Sequence, residues 1–269
     1  IVDRHSIYNS DLSYHYGGDN PKKLGAFLKE YFTPKEAIYS VDNFASYAPG
    51  TARKYSNVAY GLIAYLVESI SNMPFNDFTK KHIFNPLGMN STGWMLSDIN
   101  TEDHAQLYKY QSKALNKIAW YGLVTWPDGG LRTSVTDLSK FISAMMNGGQ
   151  YGGIQILTPK TVQTIFTSQH AKGSVLSAVS EGDNYKQAIT WNLIKRNSGD
   201  NVIGHTGGDP GIRTYTYFDP KTNRGVVLFL NTASREEVIT NAVSTYIQSL
   251  LSIMNQDNVN KVPLASSNG

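Results

Sequence analysis

The sequence predicts an α/β (α+β) fold with two lobes, one mostly helical and one built on an antiparallel sheet with a covering helix. Capped stretches with helical character dominate the first part of the chain, and short β-branched and aromatic runs follow them. A last apolar stripe again has helical spacing. We therefore assign residues 1–183 to the helical lobe, 184–255 to the sheet and its helix, and 256–269 to a polar tail.

Three helices are predicted in the first third of the chain. Asp19-Asn20-Pro21 is expected to open a helix that runs to about residue 32, because a polar cap precedes a proline in the first turn. Residues 57–71 are apolar almost all round, which predicts a buried helix. Another helix should follow Pro74 and end at Asn85-Pro86.

Two further helices complete the predicted helical lobe. Thr136 is expected to cap a helix over residues 137–147 that stops at Gly148-Gly149, and Thr158-Pro159 is expected to open one that reaches about residue 166. Residues 90–133 are mixed and carry no assignment. Residues 168–187 are expected to form a polar loop or an irregular hairpin.

The sheet is predicted from three short runs, at residues 188–194, 212–218 and 225–231. A turn centred on Asp219-Pro220 joins the last two runs as a hairpin. One helix then follows, with a single apolar stripe that should pack on the sheet. The residues of that stripe are Ile239, Ala242, Val243, Tyr246, Ile247, Leu250, Leu251 and Met254.

Composition excludes several classes of function. The chain has 269 residues and no cysteine, which removes a cysteine nucleophile, a thiolate zinc site and an iron–sulfur cluster. Lys and Arg number 24 against 21 Asp and Glu, without a basic block, so no nucleic-acid partner is expected. The six histidines are scattered, and no phosphate loop, dinucleotide fingerprint or G-x-S-x-G elbow occurs. No metal and no cofactor is therefore predicted.

Two short motifs could carry chemistry. His205-Thr206-Gly207-Gly208 is expected just before a strand, where glycines let a ligand approach the backbone N–H groups, as the oxyanion of an acyl transfer requires. Tyr55-Ser56-Asn57 is expected at the start of the second helix, where a phenol could move a proton and an amide could hold a substrate. Taken singly, an ordinary strand entry and an ordinary helix entry explain these motifs as well.

The order of the motifs resembles the serine β-lactamase and penicillin-binding protein family, closest to its class C-like branch of β-lactamases, D-Ala-D-Ala carboxypeptidases and esterases. The resemblance covers nearly the whole chain and implies a β-lactamase/transpeptidase-like fold. The segments that carry it are Pro49-Gly50-Thr51, Tyr55-Ser56-Asn57, Pro86-Leu87-Gly88-Met89, Asp128-Gly129-Gly130-Leu131, Gly204-His205-Thr206-Gly207-Gly208 and Phe218-Asp219-Pro220.

The resemblance also implies roles for individual residues. Tyr55 and His205 would be catalytic, and His205 stands where the family more often has lysine, which favours a peptidase or esterase over a dedicated β-lactamase. The remaining residues would bind substrate, namely Asn57, Thr206 and Gly207, with the N–H of Gly208 as an oxyanion donor.

The family's nucleophile motif, Ser-x-x-Lys, is missing. No serine in the chain has lysine three residues later, and the match at Thr51 belongs to the loop before Tyr55. The chain also opens without an initiator Met or an apolar leader. We therefore expect the C-terminal part of a larger serine hydrolase, lacking the N-terminal strands and the nucleophile helix and inactive alone.

Two functions follow from the resemblance. The first is an acyl-enzyme hydrolase that acts on a β-lactam, a D-amino-acid peptide or a small ester. The second is a non-catalytic relative that binds a peptidoglycan-like peptide or a protein partner. The expected partners are a small-molecule or peptide substrate, and the missing N-terminal segment or an oligomer partner. The family also implies a periplasmic or extracellular location in bacteria.

Overall fold

The computed structural model describes residues 1–4, 13–49, 51–52, 54–168, 185–195, 201–219, 221–233 and 237–253. The predicted tail at 256–269 lies outside these residues, as does most of the predicted loop at 168–187. The predicted boundary at 183/184 also lies outside them, so this division stays a prediction. No helix in the described ranges is both long enough and apolar enough to span a bilayer.

The helices and strands form a mixed fold, as predicted. The helices are α1 (Leu24–Phe32), α2 (Asn57–Ser71), α3 (Phe75–Thr79), which continues as a π-helical turn at Lys80–Phe84, α4 (Val135–Met146), α5 (Pro159–Ile165) and α6 (Glu237–Ile253). The strands are β1 (Tyr14–Tyr16), β2 (Leu107–Gln111), β3 (Ala114–Ile118), β4 (Tyr121–Leu123), β5 (Gln150–Tyr151), β6 (Ile154–Gln155), β7 (Tyr185–Gln187), β8 (Asn192–Lys195), β9 (Asn201–Asp209), β10 (Ile212–Asp219), β11 (Arg224–Leu230) and β12 (Thr232–Ala233).

The main sheet is antiparallel, with strand order β11-β10-β9-β8-β7. Smaller pairings join β1 to β4 and β5 to β6, and a three-stranded sheet has the order β12-β2-β3. Three of these small strands, β2, β3 and β4, lie in the region for which the sequence carried no assignment. The small strands are two to five residues long, too short for a clear alternating pattern.

Helix α1 begins three residues later than predicted because its expected cap is used elsewhere. The Asp19 carboxylate accepts hydrogen bonds from the backbone N–H groups of Leu96 and Ser97, at 2.7 and 3.2 Å. The Asn20 side chain accepts from the N–H of Lys22 and forms a local turn. The polar residues before Pro21 therefore anchor a loop instead of starting a helix.

The other helix starts follow their caps, with one correction. The predicted cap of α4 at Thr136 is wrong, because the Ser134 hydroxyl accepts from the N–H of Asp137 at 3.1 Å and the helix begins at Val135. Thr158 caps α5 as predicted, and α2 has the predicted bounds. A helix also follows Pro74 as predicted.

Two predictions about the sheet are corrected. The strand predicted at 188–194 is wrong over residues 188–191, which form the turn between β7 and β8, where Thr190 has a φ of +65°; only residues 192–194 lie in a strand. The His205 motif does not precede a strand but lies inside β9, where Gly207 and Gly208 pair with β10. The hairpin of β10 and β11 and the covering helix α6 are confirmed.

The two faces of the main sheet pack against different helices. Ile142 of α4 forms a buried cluster with Ile203 and Phe218, which are paired across β9 and β10. On the other face, Ile247 of α6 packs on Tyr215 and its neighbours. Because side chains alternate along a strand, His205 and Gly207 lie on the α4 face, whereas Thr206 and Gly208 lie on the α6 face.

Helix α2 is only partly buried, contrary to the prediction. Val58 and Ala64 are 1% and 2% exposed and pack with α1. On another side of the helix, Ile63, Leu66 and Ile70 remain 54%, 50% and 85% exposed. No described element covers those side chains, so α2 has an apolar face open to solvent.

Candidate active site

One cleft brings the two predicted motifs together. It has a volume of about 570 Å³ and lies between the N-terminal end of α2 and strand β9. Tyr55 lines it from the helix side, and His205 and Thr206 line it from the sheet. The turn between β7 and β8 closes one side. The lining residues do not include Asn57, Gly207 or Gly208, which lie nearby on the same two elements.

The N-terminus of α2, where Tyr55 is placed, is held by two acceptors. The Ser56 hydroxyl accepts from the N–H of Ala59 at 3.1 Å, as an N-cap residue does. The Asp3 carboxylate accepts from the Ser56 hydroxyl at 2.7 Å and from the N–H groups of Asn57 and Val58 at 2.6 and 3.0 Å. A negative charge at a helix N-terminus is favourable, so this contact stabilises the helix start.

Asp3 also determines where the Asn57 side chain points. The Asn57 amide donates to the Asp3 carboxylate at 3.0 Å. This amide nitrogen is therefore already bonded within the chain, and Asn57 does not line the cleft. The substrate-binding role expected for Asn57 remains a prediction.

His205 has one ring nitrogen fixed by the backbone. Its Nδ1 lies 2.7 Å from the carbonyl oxygen of Thr206. A carbonyl oxygen can only accept, so Nδ1 carries the proton and donates it. In the neutral ring, Nε2 then carries the lone pair. His205 can thus accept a proton at Nε2 while its backbone contact stays intact.

Strand β9 has a free edge along the His-Thr-Gly segment. Asp209 and Ile212 flank the two-residue turn and form its hydrogen-bonded closing pair. Alternation along the strand then directs the N–H and C=O groups of Thr206 and Gly208 away from β10. On that side β8 pairs with β9 only as far as Gly204, within the part of the chain that the structure describes. The N–H of Gly208 thus points to an open edge, where an oxyanion donor is needed.

Two partly buried carboxyl groups, of Asp128 and Asp209, lie beside this part of the molecule. Asp209, at the end of β9, accepts a hydrogen bond from the Tyr14 hydroxyl at 2.7 Å, and burial raises its pKa. Burial, together with the nearby charge of Asp209, raises the pKa of Asp128 to about 8. The two oxygens of Asp128 are buried, and the Thr125 side chain acts on this carboxyl as a hydrogen-bond donor that opposes the rise in pKa.

The negative charges nearby affect Tyr55, the candidate for proton transfer. Tyr55 is 50% exposed, and the partial burial of its phenol is the main cause that raises its pKa. The charges of Asp128 and Asp3 raise this pKa further. The phenol is therefore held in its protonated form. A cation would be needed before Tyr55 could act as a base, and Lys54 lines the same cleft.

Sequence reasoning missed Asp3, Tyr14 and Asp209 as parts of this region. Asp209 directly follows the His-Thr-Gly-Gly run. Alternation along a strand places it on the same face as His205, so the sequence could have predicted its place near the site. Asp3 and Tyr14 are distant in sequence from the groups they contact and carried no such signal. No three His, Asp or Glu side chains in the described ranges converge to hold a metal ion.

Several named proteins align with most of this chain at low identity. A putative D-alanyl-D-alanine carboxypeptidase of Escherichia coli O157:H7 is 24% identical over 267 residues, covering 86% of this chain and 58% of the relative. An N-acetylmuramyl-L-alanine amidase of Bacillus subtilis (strain 168) is 24% identical, covering 78% of this chain and 51% of the relative. The chain thus spans little more than half the length of these proteins.

Solved structures support the fold. The octameric penicillin-binding protein homologue from Pyrococcus abyssi has a TM-score of 0.66 at 22% identity, over 88% of this chain and 50% of that one. The D-amino acid amidase from Ochrobactrum anthropi SV3, in complex with L-phenylalanine amide, has a TM-score of 0.60 at 21% identity, over 75% and 56%. The Beta-lactamase family model matches residues 39–245, most of the chain. The chain therefore belongs to the beta-lactamase family, as its motifs predicted.

Proposed function

We propose that this chain supplies the substrate-binding and proton-transfer part of a serine hydrolase that forms an acyl-enzyme on D-amino-acid peptides or amides. The observation that carries the proposal is the shared cleft of Tyr55, His205 and Thr206. The relatives named D-alanyl-D-alanine carboxypeptidase and D-amino acid amidase favour D-amino-acid substrates over a β-lactam or a small ester.

In the proposed reaction a serine oxygen attacks the acyl carbon of the substrate. Nε2 of His205 accepts the proton of the serine hydroxyl and then donates it to the leaving amine. The negative oxygen that forms is stabilised by the N–H of Gly208 at the open edge of β9. Water then attacks the acyl-enzyme, releases the acid and returns the proton to the serine.

The nucleophile in this proposal comes from a segment outside these 269 residues. No serine of the chain stands three residues before a lysine. The exposed apolar face of α2, formed by Ile63, Leu66 and Ile70, offers a surface on which such a segment could pack. Strand β11 offers a sheet edge that no described strand occupies. The segment could belong to the same protein or to an oligomer partner.

The test compares this chain with a longer form that carries an upstream Ser-x-x-Lys. Both proteins are incubated with a fluorescent penicillin and with D-alanyl-D-alanine peptide, and adducts are measured by intact mass. We expect a covalent adduct and peptide hydrolysis only with the longer form. Hydrolysis by the 269-residue chain alone would refute the need for an external nucleophile.

The absence of Ser-x-x-Lys favours one other candidate function, a non-catalytic module that binds a peptidoglycan-like peptide or a protein partner. The same experiment separates the two candidates. If the longer form gives no adduct and no hydrolysis but binds the D-alanyl-D-alanine peptide, the binding module is the correct assignment.

We also propose that the protein acts in the periplasm or outside the cell. The wall-related names of the bacterial relatives support this location. Fractionation of cells that express the longer form, followed by immunoblotting, tests the proposal, and recovery in the cytoplasm alone would contradict it.

A further inference from the structure

The hairpin of strands β2 and β3 carries three lysines and no acidic residue. Lys109 lies on β2, Lys113 at the turn and Lys117 on β3, and all three side chains are exposed. The chain has no aspartate or glutamate between Asp103 and Asp128. Within the described residues, no carboxylate forms an ion pair with any of the three lysines. The hairpin is therefore a concentrated patch of positive charge.

Aromatic and apolar side chains share one face of the same hairpin. Tyr110 is opposite Leu115, and Tyr108 is opposite Lys117. Because side chains alternate along a strand, these four lie on the same side of the hairpin. Leu115 is 59% exposed, whereas the two tyrosines are partly buried. An apolar side chain flanked by tyrosine and lysine is typical of a protein surface that meets a lipid–water interface.

Protection of a sheet edge explains only part of this pattern. Strand β3 is the outer strand in the order β12-β2-β3, and a lysine such as Lys117 discourages pairing with another chain there. Lys109, however, lies on the central strand β2, where no edge needs protection. Leu115 lies on the edge strand itself, where an exposed leucine favours association. Together these residues indicate a partner that is both negatively charged and apolar.

The hairpin is preformed and is held at its base. The two-residue turn Ser112-Lys113 joins the strands, and its residues have φ values of +54° and +61°, as a type I′ turn requires. At the base, a Cβ on Gly211 would lie 2.8 Å from Cβ of Leu107, so the β9–β10 turn packs directly on β2. Five residues of a strand span about 17 Å, which separates the tip of the hairpin from that turn.

We propose that the β2–β3 hairpin binds the surface of an anionic phospholipid bilayer. The lysines attract the negative head groups, and the apolar face enters the boundary between head groups and acyl chains. A soluble polyanion would contact the lysines but would gain nothing from Leu115, so the exposed leucine favours a lipid surface. This docking is separate from the proposed reaction, because no residue of the hairpin lines the cleft.

Sedimentation of the 269-residue chain with vesicles tests the proposal. One set of vesicles contains phosphatidylglycerol and phosphatidylcholine, and the reference set contains phosphatidylcholine alone. We expect the chain to sediment only with the anionic vesicles, and less at high salt, because salt screens the attraction between lysines and head groups.

Replacing all three hairpin lysines with glutamine should lower the affinity roughly a hundredfold, since each lysine near an anionic surface contributes roughly fivefold. The matched control replaces Lys80, Lys81 and Lys160, which are exposed outside the hairpin, and should bind like the unchanged chain. Leu115→Asn should lower the affinity about tenfold, because it removes the apolar contact and leaves every charge in place. Far-UV circular dichroism checks that each variant is folded.

Equal sedimentation with both kinds of vesicle, or with neither, would overturn the proposal. An equal loss in the control variant would overturn it too, because the net charge of the chain would then govern binding. If soluble polyphosphate binds as tightly as the vesicles do, and Leu115→Asn changes neither affinity, the partner is an anionic polymer and not a bilayer. Because the hairpin lies outside the cleft, this test and the adduct test of the proposed function can fail independently.

Discussion

Replacing Asp3 with alanine should loosen the start of α2 and with it the helix side of the cleft. The Asp3 carboxylate accepts four hydrogen bonds, from the Ser56 hydroxyl, the N–H groups of Asn57 and Val58, and the Asn57 amide, at 2.6 to 3.0 Å. The first two turns of α2 contain no acidic residue of their own that could replace the charge of Asp3. The variant therefore removes both the acceptor and the favourable charge at the helix N-terminus.

The expected loss follows from these contacts. Hydrogen bonds to a charged group contribute about 1.5–3 kcal/mol each, but the freed donors regain water because the site is only partly buried. Loss of a helix cap costs about 0.5–2 kcal/mol, and loss of a favourable helix-terminus charge about 0.3–1 kcal/mol. Together these values predict a fall of about 2–4 kcal/mol in the free energy of unfolding.

Urea denaturation followed by far-UV circular dichroism measures this loss. Asp3→Asn keeps one acceptor oxygen and should lose less than Asp3→Ala. Glu102→Ala is the control, because its carboxylate is exposed and forms no described hydrogen bond. A loss below about 0.5 kcal/mol in Asp3→Ala, the level of an ordinary surface substitution, would refute the anchoring role.

Three further outcomes are expected. The folded-state pKa of Asp128, about 8, lies above the unfolded value of about 3.9, so stability should fall as pH rises between these values. Asp128→Asn should flatten that dependence. Urea denaturation of both proteins at pH 5 and pH 8.5 tests this, and an equal change in the free energy of unfolding between the two pH values would contradict it. Phe218→Ala should cost about 3–5 kcal/mol in urea denaturation, because Phe218 is fully buried against Phe166 and Trp191. His205→Gln should slow acylation of the longer form by about 10²–10⁴-fold in stopped-flow labelling, and an unchanged rate would exclude His205 as the base.

Local signals in the sequence predicted the elements whose structure depends on nearby residues. Helix α2 has its predicted bounds because Ser56 caps it through a hydroxyl only three residues from the N–H it accepts. The β10–β11 hairpin followed from short β-branched and aromatic runs joined by a turn, and α6 followed from helical spacing. Family membership followed from the order of motifs along the chain, which needs no coordinates.

Errors arose where a polar side chain had a distant partner. Asp19 looked like a helix cap, yet its carboxylate bonds to Leu96 and Ser97, more than 70 residues away. The apolar pattern of α2 predicted burial, but a pattern shows only that a face needs a partner, not that a partner is present. Ile70 consequently remains 85% exposed.

The sequence by itself determined the family, the mixed fold and the candidate residues Tyr55, Asn57 and His205, because motifs and short-range caps are local properties. Only the tertiary structure placed Tyr55 and His205 on one cleft and turned the Asn57 amide toward Asp3. It also gathered Asp128, Asp209 and three tyrosines beside β9. Those contacts join segments as many as 195 residues apart, as in the bond between Tyr14 and Asp209, and chain packing alone decides them.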